Sequence, residues 1–261
     1  MQRHLRGLIF LLMVMALLPA SAKSSPQLSD TVTTEDKTPI GNEHSGINSD
    51  NAANPPIECP LRKQGINPHE MKPFADTQKY IDFLERSDRA AWQKPDAVIK
   101  ELHLSGNEKI ADVGAGSGYF TFRFARALPK GKVYAIDIYP EMLRHIHHKV
   151  MTEGVRNIEV IKSTPDDPTI PPGVDLVFVC DVLHHVKERE AWLRKLSSQM
   201  KKGAQLAVIE FKEGDLPEGP PAAVKIPKKK LIGMIAENNF KMEREKPDIL
   251  PYQTFLMFIK R

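Results

Sequence analysis

The sequence predicts an α/β fold: a doubly wound, mainly parallel sheet of seven strands with an antiparallel edge strand and helices on both faces. Three observations predict it. Short apolar runs alternate with helix-length segments between residues 109 and 211, the mark of repeated strand–helix units. A glycine-rich loop, 114–118, joins the first run to the segment after it, and sheets of this kind bind ligands beyond the carboxyl ends of their strands. The last two runs, 240–245 and 254–259, have no helix between them, so they pair as an antiparallel hairpin.

Each element has a local reason. Phe74, Tyr80, Ile81, Phe83 and Leu84 mark a short amphipathic helix, and Pro95 opens another whose apolar residues are Ala97, Val98, Ile99 and Leu102. Residues 109–113 form the first strand, followed by the glycine loop and a helix through Leu128. Residues 132–136 form the second strand; Pro140 then opens a helix to about Glu153, where Gly154 stops it. The third strand is 157–161. The fourth, 174–180, is apolar on both faces, as a central strand should be. A helix over 188–200 closes at Gly203 and leads to the fifth strand, 205–211. A proline-rich loop, 214–221, and a helix over 227–238 precede the final hairpin.

The segment before these elements reads differently. Arg3 and Arg6 precede eleven apolar residues, 8–18, then Pro19 and Ala20-Ser21-Ala22. That is the pattern of a secretory signal peptide over 1–22, cleaved after Ala22, which would send the chain to the periplasm or outside the cell. An uncleaved N-terminal membrane anchor is the alternative, although the run is short for a hydrocarbon core of about 30 Å. Residues 23–68 open on Ser, Thr, Asn, Asp and Pro and read as a disordered linker. Residues 69–94 form a helical arm or lid, and 95–261 the main domain.

Composition narrows the function. The chain has 261 residues, 41% hydrophobic and 27% charged, within the globular range. Its formal charge of +4 falls to +2 once Arg3 and Arg6 are removed, too weak an excess to suggest a nucleic-acid partner. Two cysteines exclude a Cys₄ zinc site and a disulfide scaffold, and no bond is expected between Cys59 and Cys180. No segment after the first 22 residues reads as a membrane span.

The chemistry concentrates in Asp112-Val113-Gly114-Ala115-Gly116-Ser117-Gly118-Tyr119. A dinucleotide fingerprint, G-x-G-x-x-G/A, needs a small residue where Tyr119 stands. What stands here is D-x-G-x-G-x-G, with a carboxylate before the turn. That anion repels a pyrophosphate and accepts hydrogen bonds from an ammonium group. No phosphate-binding G-x-x-x-x-G-K-[ST] loop exists. Asp137 ends the second strand, 25 residues after Asp112, where an acid can accept both ribose hydroxyls. The structural alternative for Asp137 is a solvated strand end or a helix cap. The pocket suits a nucleoside with a cationic amino-acid end.

With these residues the chain resembles the class I S-adenosylmethionine-dependent methyltransferases, from about Trp92 to the C-terminus. Within them it is similar to the ubiquinone/menaquinone-biosynthesis methylases and the arsenite methylases. AWQKPDAVI, KVYAIDIYPEML, STPDDP, CDVLHH, FKEGDLPEGPP and LPYQTF look like an exported bacterial subgroup. The resemblance implies a Rossmann-like methyltransferase fold with S-adenosylmethionine as cofactor. It implies that residues 112–118 hold the methionine portion, Asp137 the ribose, and Ile138 the adenine, with Tyr119 also binding the cofactor. Ser163-Thr164-Pro165 matches the loop that flanks the base; Thr164, Asp166 and Asp167 are all candidates for the adenine amine. Cys180 and Asp181 match the strand end beside the methyl group.

A sulfonium methyl is already activated, so the protein's task is alignment and exclusion of water. A base helps if the acceptor carries a proton. His184 and His185 follow Asp181 at the mouth of the expected site and titrate in the right range; a helix cap or loop packing is the structural alternative. Asp181 could orient a histidine or touch the cofactor. Other features point to structure before chemistry: His145, His147 and His148 to a solvated helix face, Lys225 with Lys228–Lys230 to a basic surface. Trp92, Phe74, Phe211 and Tyr252 suit either an apolar acceptor pocket or core packing. Only two cysteines argue against arsenite as substrate. The expected partner is a small, apolar or aromatic methyl acceptor, with no metal; a non-catalytic exported ligand-binding protein on the same fold is the rival.

Overall fold

The computed structural model describes residues 74–261, with side chains from Thr77 onward. The expected signal peptide, the linker, Cys59, the start of the arm and the side chain of Phe74 lie outside the described residues. Two arm helices come first, α1 (Phe74–Leu84) and α2 (Arg89–Gln93). The order then runs α3 (Pro95–Glu101), β1 (Lys109–Val113), α4 (Thr121–Ala127), β2 (Lys132–Asp137), α5 (Pro140–Glu153), β3 (Ile158–Lys162) and β4 (Leu176–Cys180). It ends with α6 (Arg189–Gln199), β5 (Gln205–Phe211), α7 (Lys228–Glu237), β6 (Phe240–Glu245) and β7 (Gln253–Lys260).

The seven strands form one sheet in the order β3-β2-β1-β4-β5-β7-β6. β1 to β5 are parallel; β7 is antiparallel to both β5 and β6. The reversed strand is therefore β7, one in from the edge strand β6. The chain builds outward from β1 to β3, then crosses to β4 on the other side of β1. That reversal opens a crevice at the carboxyl ends of β1, β2 and β4.

Burial follows the strand pattern. On one face Val177, Val179, Leu206 and Val208 pack with Trp192, Leu196, Leu231 and Ile235 of α6 and α7. On the other, Ile110, Phe178 and Ala207 pack with Val98 and Phe124 of α3 and α4. Phe178 lies between Phe120 and Phe124, with ring centroids 4.8 and 5.0 Å away. The sheet is thus covered on both sides by helices.

Local chemistry sets the boundaries. Pro140 stands at the start of α5, and Gly154 ends it in a left-handed conformation, φ +65°. β4 begins two residues later than the apolar run, after a turn at Gly173 (φ +81°). The Asp175 carboxylate then takes the Lys109 amide at 2.8 Å.

Candidate active site

The glycine loop is hung on β2. The amides of Gly114 and Ala115 donate to the Ile136 carbonyl at 2.8 and 3.0 Å, and Gly118 N donates back to Ala115 O at 2.9 Å. Gly114, Gly116 and Gly118 all take positive φ, +73°, +55° and +86°, conformations that glycine adopts without steric cost. Their bare sides do different things. A Cβ on Gly114 would stand 2.3 Å from Val182 Cγ2, and one on Gly118 2.8 Å from Phe122 Cε2. These two let the loop pack on its own fold. Among the described residues, a Cβ on Gly116 would meet only Leu84 Cδ1, at 3.3 Å, and the Gly114 carbonyl, at 4.0 Å. Of the three, Gly116 has the most room for a Cβ, and Leu84 at the end of α1 is what lies over it.

Two acids flank this loop with different partners. Asp137 Oδ2 accepts the Gly116 amide at 2.8 Å and Oδ1 the Tyr139 amide at 2.9 Å. Burial pushes its carboxyl up, and the amides of Tyr139, Gly116 and Ile138 oppose that. A carboxylate offers about four acceptor sites, so these bonds leave capacity for further hydroxyls. Asp112 is more enclosed. Thr121 Oγ1 donates to its Oδ2 at 2.6 Å, tying it to the start of α4, and burial pushes its carboxyl up to about 7. The expected ammonium acceptor is thus also a brace behind the loop.

β4 ends in Cys180, a free thiol of intermediate exposure that burial pushes well up from its ordinary range. Asp181 follows with φ +59°, a left-handed backbone that Asp tolerates better than most residues. Two buried glutamines hold its carboxylate. Gln253 Nε2, at the start of β7, donates to both oxygens at 2.7 Å. Gln93 Nε2, at the end of α2, donates to Oδ2 at 3.1 Å and to Cys180 Sγ at 3.0 Å. Burial pushes the Asp181 carboxyl up to about 6, helped by the nearby Glu210 charge and opposed by His184, Arg89 and Gln253.

The adjacent histidines part company. Their ring centroids lie 4.0 Å apart, yet the His184 side chain is 1% exposed and turned inward, with Nδ1 2.8 Å from Glu210 Oε2. Burial alone would lower its affinity for a proton, but the Glu210 hydrogen bond and charge outweigh that and raise it. Glu210 Oε1 also accepts the Leu183 amide at 2.7 Å. His184 is therefore a strut of the loop after β4. His185 is the more exposed of the two, yet partial desolvation of its ring by the surrounding protein, with His184 beside it, lowers it to about 4.

The remaining expected residues line the rim. Ile138 is 37% exposed. Ser163 is buried, its amide on the Asp137 carbonyl at 3.0 Å. Thr164, Pro165 and Asp166 are exposed. Asp166 is bonded to Thr164 Oγ1 at 2.8 Å and Lys195 at 3.0 Å, and Asp167 to Gln199 at 2.8 Å. Both acids are thus committed to neighbours. Val113, Ala115, Ser117 and Tyr119 are buried within or behind the loop. Trp92 packs on Phe211 and Tyr252 at 5.8 and 6.4 Å, an aromatic wall under the arm. His145 faces Glu85, the residue after α1, at 3.7 Å, and Lys228 pairs with Glu245 at 2.8 Å. Among the described residues no three His, Cys, Asp or Glu side chains gather as a metal site, and no helix is long and apolar enough to cross a membrane.

Four residues of this site escaped the sequence reading: Arg89, Gln93, Glu210 and Gln253. Glu210 left a signal, a lone acid in the otherwise apolar end of β5 (Leu206-Ala207-Val208-Ile209-Glu210-Phe211). The others reach Asp181 or its surroundings from distant elements and left none.

The crevice has known relatives. A methyltransferase-domain family model matches residues 111–206. The chain is 27% identical over 117 residues to a ubiquinone/menaquinone biosynthesis C-methyltransferase of Syntrophotalea carbinolica, a match covering 45% of this chain and 49% of that protein. It is 29% identical over 196 residues to a tRNA U34 carboxymethyltransferase of Alteromonas mediterranea, covering 72% of this chain and 54% of that one. The chain thus spans about half the length of these curated relatives. Among solved structures, an S-adenosylmethionine-dependent methyltransferase from Aquifex aeolicus superposes with a TM-score of 0.66 at 28% identity, over 71% of this chain and 99% of that one. These matches support the class I S-adenosylmethionine-dependent methyltransferase superfamily, with the methyltransferase domain over residues 111–206. The crevice fits that cofactor on two counts: Gly116 leaves room beside its bare α-carbon, and Asp137 keeps acceptor capacity after its amide bonds.

Proposed function

We propose that this chain transfers the methyl group of S-adenosylmethionine to a small, apolar or aromatic acceptor at the mouth of the crevice. The observation that carries the reading is the Gly116–Asp137 pair. A bare glycine at φ +55° donates its amide to an acid on the next strand, which keeps lone pairs for a ribose diol. The cofactor supplies an activated methyl on a sulfonium; the protein's residues bind, orient and exclude water. The loop 114–118 bears the methionyl chain, Asp137 the ribose, and Ile138 with Ser163 to Pro165 the base. Asp181 faces the acceptor: with its carboxyl at about 6, it is mostly ionised at neutral pH and can take a proton from an acceptor hydroxyl or amine. His185, at about 4, is neutral there and is a second candidate. The wall of Trp92, Phe211 and Tyr252 supports a flat apolar acceptor.

The test is calorimetry with S-adenosylhomocysteine, then transfer of labelled methyl from S-adenosylmethionine into a small-molecule extract. Tight binding and a labelled product are expected; binding without product would mean a holding function on this fold. Asp137→Ala should weaken S-adenosylhomocysteine by about 1–3 kcal/mol, the scale of hydrogen bonds to a charged group. An unchanged affinity would remove Asp137 from the ribose site.

A further inference from the structure

The methionyl end of S-adenosylmethionine carries two charges. The acids and carbonyls around the glycine loop answer its ammonium; its carboxylate needs a cation. Arg89 is placed to be that cation. Its guanidinium lies over the Tyr119 ring, 4.0 Å from the centroid, and Tyr119 directly follows the glycine loop. Nε donates to Gln93 Oε1 at 2.6 Å and Nη1 to the Leu84 carbonyl at 2.6 Å, and Leu84 is the residue that lies over Gly116. Gln93 in turn donates to Asp181. The side chain is thus clamped on one face and at two nitrogens, between the loop and the end of β4.

What Arg89 lacks is a carboxylate. Among the described residues it makes no ion pair, and Nη2 makes no hydrogen bond. The arginine just before it, Arg86, has both Asp88 and Glu218. Burial works against the Arg89 charge, and Asp181, whose oxygens are held by Gln93 and Gln253, supports it only through space. A guanidinium stays charged at any working pH, and its planar fork matches a carboxylate. Desolvated charges in proteins are paired.

We propose that Arg89 binds the carboxylate of the cofactor's methionyl end, so that the arm helix α2 is part of the cofactor site. This rests on the reading of the crevice as an S-adenosylmethionine site. It also gives the arm a reason to close: the ligand supplies the one charge that the α2 arginine is missing. Through Gln93 the same event sets the amide that holds Asp181 on the acceptor side.

The test compares two thioether nucleosides by calorimetry on the full chain: S-adenosylhomocysteine, and its decarboxylated form with a 3-aminopropyl arm. The wild-type chain should prefer the carboxylate-bearing ligand by about ten- to a hundredfold, the range of a charge-assisted bidentate contact. Arg89→Gln should bring S-adenosylhomocysteine down to the level of the decarboxylated ligand, whose own affinity changes less than about twofold; Arg89→Lys should fall between. A preference that survives Arg89→Gln overturns the proposal, and so does equal weakening of both ligands, which marks a structural role. Failure of the wild-type chain to bind either ligand overturns the cofactor reading itself, and this inference with it.

Discussion

Gly116→Val abolishes measurable S-adenosylhomocysteine binding while the chain still folds. Two effects act at once. Position 116 has φ +55°, where a β-branched residue is a steric outlier costing roughly 1–2 kcal/mol or more. That strain falls on a loop whose 116 amide also holds Asp137. The valine methyls would then fill the room beside position 116, where even a Cβ would come within 3.3 Å of Leu84. The Leu84 side chain must shift, and the cofactor's approach to the backbone is blocked. The surrounding core (Val113, Phe120, Phe178) does not touch this position, so the stability loss should stay near the strain alone. Calorimetry with S-adenosylhomocysteine and a thermal melt check both halves. Wild-type affinity in this variant would remove the loop from the cofactor site.

The glycine loop was legible because its chemistry is local. Three glycines and an acid within seven residues, set between a strand and a helix, state a turn with positive φ and a close approach. The sheet was legible for the same reason: period, length and punctuation are written in adjacent residues. What the loop's glycines do individually was not legible. Gly114 and Gly118 are needed by Val182 and Phe122, whereas a Cβ on Gly116 would meet, among the described residues, little but the end of Leu84. The acceptor side was hidden because its parts arrive from separate elements. Asp181 meets Gln93 across 88 positions and Gln253 across 72, and an amide in a sequence advertises no partner. His184 misled for the converse reason. Its place after β4 suggested a base, but the acid that claims it, Glu210, sits on the neighbouring strand β5.

That acid carries the largest effect on stability. Glu210 is 2% exposed and holds two consecutive residues of the loop after β4, the Leu183 amide and the His184 ring. Glu210→Leu keeps the volume and removes both acceptors. Breaking a buried charged pair from one side costs about 3–5 kcal/mol, and this is the expected loss at pH 6, measured by urea unfolding. The loss should depend on pH in a defined direction. The folded chain raises the proton affinity of His184 above its ordinary 6.5, so the pair's contribution is complete below that value and fades as pH rises through the folded value. At pH 9 the loss should therefore be smaller, and where the ring is neutral only unmade hydrogen bonds remain, about 1–3 kcal/mol. Asp112 and Asp181, held at about 7 and about 6, give the wild-type chain a slope of the same sign. Each binds its proton more tightly folded than unfolded, so stability without ligand declines as pH rises from about 4 toward neutrality. The two sources separate in the variant. Without Glu210, Asp181 loses the charge that helps hold it up and titrates lower, while Asp112 keeps its slope. Equal unfolding midpoints for Glu210→Leu and wild type at both pH values would show that the loop after β4 stands without this pair, and His184 would again be free to face an acceptor.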